Sequence, residues 1–148
     1  MKQTPEEKRK RENFLPGKIT RDGFLGEDER HIHDIIEDDA RRLASMGLTV
    51  QGVAETLQRF IQLGKEGLES PVEDQNHIIE VQWQRGALPC PFGEAGLHPK
   101  IMATIIDRTT QRKLRFSQLS VHLIRKHGFF GGKGSPFRLD PEDLKQFV

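Results

Sequence analysis

Cysteine is nearly absent from this chain. A single one in 148 residues, Cys90, excludes an internal disulfide and suits a reducing compartment. Long apolar runs are missing as well: the opening MKQTPEEKRKRENFLPG has no stretch of signal-peptide length, and nowhere is a run long enough to cross a bilayer. The expected location is therefore cytoplasmic. Familiar catalytic signatures are also lacking, with no Gly-x-Ser-x-Gly elbow and no dinucleotide-binding glycine fingerprint. Cys90 lies between Pro89 and Pro91, with no helix N-terminus in evidence to activate its thiol. There is no internal repeat and no low-complexity segment.

What is present is a strong asymmetry of charge beneath a net +1. Residues 27–39 carry seven carboxylates against one base, Arg30. Residues 108–138 carry eight bases and no acid. Interleaved with Phe116, Phe129, Phe130 and Phe137, those bases combine phosphate-neutralising charge with surfaces on which nucleobases could stack. Arg115, Arg125, Lys126, Lys133 and Arg138 are the candidate residues for nucleic acid or another anionic partner. The competing use of the same charge is internal or intersubunit, with the acidic helix 27–39 facing the basic segment 108–138 within one chain or across a homo-oligomer.

The residue pattern predicts an α+β fold: an N-terminal helical hairpin (28–66) packed on a small, mainly antiparallel sheet of three to four strands, then a C-terminal helix and a short terminal helix. Residues 1–15, rich in mixed charge, read as a flexible arm, and 16–148 as a single domain. The first helix spans about 28–45, with Ile32, Ile35, Ile36, Ala40 and Leu43 at helical spacing, and Glu37 with Arg41 and Asp38 with Arg42 set four apart. Asp39 projects into that apolar stripe, so it requires a cationic or hydrogen-bonding partner or a place near solvent. Thr49 caps the second helix, which Gly64 and Gly67 end. From His77 the period becomes two, with Ile79, Val81 and Trp83 on one face. Three prolines and three glycines in 85–99 predict a loop, 101–106 a central strand, and 113–116 its hairpin partner. Ser117 caps a helix that stops at Gly128, 137–139 adds an edge strand, and Asp140-Pro141 opens the last helix.

Cys90, His98, His122 and His127 are the candidate zinc ligands. Leu119-x2-His122-x4-His127 resembles the helical half of a C2H2 zinc finger, but the pair of cysteines that should precede it is missing. The set closes only if the loop carrying Cys90 and His98 folds over the helix. His31-x-His33 is a weaker candidate, because helical residues two apart point in different directions. The run 128–135, Gly-Phe-Phe-Gly-Gly-Lys-Gly-Ser, fails as a phosphate-binding loop, since Gly134 stands where Ser or Thr belongs and no strand precedes it. It reads as a mobile anion-binding loop or a plain connector. A helix-turn-helix over 43–57 would present Gln51, Gly52, Glu55, Gln58 and Arg59, with little positive charge for phosphate contact.

These observations describe a small, non-enzymatic binding protein that recognises an anionic partner or nucleic acid through 108–138. The alternative is a zinc-stabilised module, or a small enzyme using Cys90 and a histidine.

Overall fold

The computed structural model describes residues 4–148. Four strands, β1 (Val72–Asp74), β2 (His77–Pro89), β3 (Leu97–Asp107) and β4 (Lys113–Ser117), form an antiparallel meander in chain order. Among the described residues five helices accompany it: α1 (Pro5–Glu12), α2 (Ile32–Ser45), α3 (Val50–Lys65), α4 (Gln118–His127) and α5 (Pro141–Leu144). The α+β class and the antiparallel sheet are those expected from the sequence. No described helix is long and apolar enough to cross a membrane.

Alternation in β2 and β3 turns Ile79, Val81, Ala103 and Ile105 into the core, where α3 and α4 cover them. The opposite sheet face carries Gln82, Met102, Thr104 and Arg115. Gly64 lies inside α3 instead of ending it, because a Cβ there would stand 2.3 Å from Val81 Cγ2. The missing side chain lets helix and sheet approach closely. Ser117 and Gly128 bracket α4 as expected: Ser117 accepts from the Ser120 N–H, and Gly128, at φ 65°, supports a Schellman ending with the Phe129 N–H on the Leu123 carbonyl.

Of the stretch 85–99, only residues 90–96 are a loop; 85–89 and 97–99 are strand. The hairpin continues through these strand residues, with a register shift between Trp83 and Ala87 and Gly86 at φ 96°. Prolines are tolerated there because β1 pairs only with residues 77–79 of β2, and β4 only with residues 102–106 of β3. Each strand therefore has a free edge at Pro89 and Pro99. Trp83, expected in the core, is 40% exposed and lies beyond the part of β2 that β1 pairs with. Residues 137–139 form no strand either; they run beside Phe130, whose carbonyl accepts the Leu139 N–H, with Arg138 turned to Asp39.

Two expectations at the N-terminal end are also corrected. The 1–15 arm contains α1, closed by a Thr4–Glu7 capping box with Pro5 at its first position. Arg11 ties this helix down by donating to the carbonyls of Arg30 (2.8 Å) and Asp28 (3.3 Å), and Phe14 is fully buried just beyond it. The helix expected from residue 28 starts at Ile32, with His31 as its N-cap. Asp38 and Arg42 do not pair with each other: Asp38 meets Arg30 and Arg41, whereas Arg42 reaches Asp140 and Glu142.

The acidic residues before α2 have a different task. Asp28 is buried and accepts from the Arg30 side chain (2.7 Å) and from the backbone N–H groups of Arg30 and Lys133. Asp28 is thus the anion that the glycine-rich segment holds, and it belongs to the chain itself. The segment is also packed too closely to be a mobile loop: a Cβ on Gly132 would lie 2.2 Å from the Leu25 carbonyl oxygen, and one on Gly26 2.3 Å from Ser135 N. The guanidinium of Arg30, opposed by burial and helped by the two N–H donors, holds the Asp28 carboxyl down from 3.8 to about 2. A lowered folded-state value means that the unfolded chain binds more protons between those limits, so this contribution is present above pH 3.8 and lost as pH falls toward 2. Asp28→Asn should therefore flatten the acid limb of the stability curve in that window, read from urea unfolding at stepped pH. An unchanged limb would mean that Asp28 titrates as it does unfolded.

Candidate metal centre

The β2–β3 hairpin ends in the turn Cys90–Gly96, which folds onto α4. Aromatic packing brings it there: Phe92 sits edge-on to Phe14 (centroids 4.8 Å apart) and Phe129 (5.8 Å) and stacks on His127 at 3.9 Å. The Gly93 N–H bonds the Cys90 carbonyl and closes the turn. From α4 come His122 and His127. Five helical residues separate side chains by about 140°, so they share a target only because His127 occupies the last helical position and leans over Phe92.

One ligand atom from each of Cys90, Glu94, His122 and His127 falls within 4.8 Å of all the others. Cys90 Sγ is 3.7 Å from His127 Nε2 and 3.8 Å from Glu94 Oε1, and His122 Nε2 is 3.4 Å from the same oxygen. With ordinary zinc bond lengths, a tetrahedron has S···N edges of about 3.6 Å and N···O edges of about 3.3 Å. Those separations fit. His127 Nε2 and Glu94 Oε1 are in direct contact and would part to admit an ion. His122 Nε2 is buried and makes no well-formed hydrogen bond, its nearest acceptor being Glu94 Oε1, itself a member of the cluster.

The electrostatics suit ligation. Burial, with the neighbouring charges of His98 and His127, holds His122 below the ordinary imidazole range, hence neutral with its lone pair available. Burial also pushes the Cys90 thiol up. At Glu94 burial works against ionisation, but the bond from His127 and the charges of His127 and His122 outweigh it and lower the carboxyl. The group Cys90, Glu94, His122 and His127 can hold a metal ion.

Of the four ligands read from the sequence, Cys90, His122 and His127 are brought together and His98 is not in the set. His98 is the second residue of β3, paired with Leu88, and its ring lies 4.1 Å from that of His122. It flanks the cluster without being part of it. Glu94, at the tip of the turn, takes its place. His31 and His33 do approach, with rings stacked at 4.9 Å, since His31 is a non-helical N-cap; its Nε2 is satisfied by Glu7.

The five candidate anion-binding residues are not gathered into one site. Arg115 lines a groove on the outer sheet face. Arg125 and Lys126 are exposed in the last turn of α4, and Lys133 is exposed on the glycine-rich segment. Arg138 is consumed internally, 10% exposed and bidentate to Asp39, so it cannot serve an external anion. At this point the acidic and basic halves of the sequence meet within one chain.

Comparison of the chain with models of known protein families, with curated proteins and with solved structures finds no match.

Proposed function

We propose that this protein is a zinc-clamped, non-enzymatic binding module, in which Cys90, Glu94, His122 and His127 hold one zinc ion and lock the β2–β3 turn to α4. The observation that carries the proposal is the convergence of four donor atoms within 4.8 Å from segments more than twenty residues apart in sequence. A thiolate and two imidazoles favour zinc over magnesium or calcium, which prefer oxygen. A structural role is supported by the surroundings. The groove on the sheet face and the cavity beside α1 are lined by none of the four ligands, and a fourth protein ligand closes the coordination shell as structural zinc sites require.

Metal analysis of the purified chain tests this. The expected result is about one zinc per chain, abolished by Cys90→Ser or His122→Ala and kept by His98→Ala. The last variant separates the arrangement described here from one that uses His98. A folded protein that takes up no zinc from a buffered zinc solution overturns the reading.

A further inference from the structure

The face of the sheet turned away from α3 carries a groove of about 320 Å³, bounded by residues 19–21 on one side and Phe137 on the other. Its floor is apolar, with Leu88, Met102 and Leu119, and the amides of Gln82 and Gln84 stand along it. Three cations line it, Arg21, Lys100 and Arg115, and no carboxylate does. None of the three has an ion-pair partner among the described residues, although Asp28, Asp39, Asp74 and Asp140 all hold arginines elsewhere. Two acids lie close by without lining it: Asp22, in an adjoining hollow that shares Arg115 and Phe137, and Glu80, on the same sheet face, whose carboxylate accepts from the Gln82 amide at 3.5 Å.

We infer that this groove binds a small organic anion with a flat apolar body, of about the size of a nucleoside monophosphate. The volume lies at the lower end of the range for small-molecule sites, and a mostly apolar lining with a few convergent polar groups is their usual make-up. The apolar floor takes the body of the ligand, the glutamine amides fix its edge, and Lys100 and Arg115 meet its charge, Arg115 with a planar fork suited to carboxylate or phosphate. A single nucleic-acid strand fits less well, because it needs cations that track along an open channel. Here Arg125 and Lys126 lie outside the groove and Arg138 is spent on Asp39. The groove does not involve the metal ligands, so its occupancy can be tested whether or not zinc is bound.

The probe is 1-anilinonaphthalene-8-sulfonate, an aromatic anion that fluoresces on leaving water, titrated into the full folded chain and mapped by amide chemical shifts. Saturable one-to-one binding is expected, with shifts at Gln82, Lys100 and Arg115. The Lys100→Gln/Arg115→Gln double variant should bind about tenfold more weakly, since exposed charge pairs contribute modestly each. Arg125→Gln/Lys126→Gln should bind as the unaltered chain does. Absence of saturable binding, shifts confined to another surface, or equal binding by the Lys100/Arg115 variant would each overturn the assignment. So would a labelled ten-nucleotide single strand that binds tighter than the dye and depends on Arg125 and Lys126, which would give the surface to nucleic acid.

Discussion

Asp39→Ala should cost the fold about 3–5 kcal/mol, a large part of the stability of an ordinary domain. Asp39 is fully buried, and its two oxygens accept from Arg138 at 2.5 and 2.9 Å, with Arg42 at 3.6 Å. Removing the carboxylate leaves a guanidinium that is 10% exposed, whose other hydrogen bond goes to the Gly131 carbonyl and whose Nε already lacks a partner. The penalty is that of a buried charge left with only Asp140, at 3.6 Å, as a counter-ion, not of a hydrogen bond alone. Arg138→Met should be comparably harmful. The double variant Asp39→Ala/Arg138→Met should recover much of the loss, because a buried pair contributes little net stability when both members go. Urea unfolding of the three variants measures the cycle, and additive losses would show that the two side chains do not act as a pair.

This pair also shows how far the sequence could be read. That Asp39 needed a partner followed from its place in the stripe Ile32, Ile35, Leu43, because a carboxylate there has no water to face. Which partner it takes was not legible, since Arg138 lies ninety-nine residues away and nothing local joins them. Caps were legible for the opposite reason. Thr49, Ser117, Gly128 and Asp140 act within a few residues of themselves, and each does so here. Composition misled where tertiary context overrode it. The prolines and glycines of 85–99 read as a loop throughout because free strand edges cannot be seen in a linear pattern. The charged helix Pro5–Glu12 buries no residue, so it gave no periodic signal.

At the candidate centre, residue chemistry was legible and placement only in part. Cys90, His122 and His127 stand out because cysteine and histidine are scarce and ligate metals. His98 seemed equivalent by type, but the strand register sends it to the flank of His122, and Glu94 reaches the cluster from the turn tip. A glutamate among 22 acidic residues carries no mark of its own. Fixing the turn required the contacts of Phe92 with Phe14, Phe129 and His127, which lie far from it in sequence.

Those contacts set the expected consequence of stripping the metal. The chain has a substantial core between α3, α4 and the sheet that does not involve the cluster, and Phe92 pins the turn independently, so the metal-free protein should remain folded. Zinc at about a thousand times its dissociation constant should then add about 4 kcal/mol. For a chain of this size that raises the melting temperature by roughly 8–16 °C. The gain should fall as pH is lowered, because protons compete for thiolate and imidazole; His122, held below the ordinary range, resists that competition to lower pH than a free histidine would. Chelation should speed amide exchange first at Phe92–Gly96, with α3 unaffected, whereas His122→Ala should remove the zinc-dependent gain and leave the melting temperature of the metal-free form nearly unchanged. Equal melting temperatures for chelated and zinc-loaded protein would show that the four side chains cluster without serving a metal.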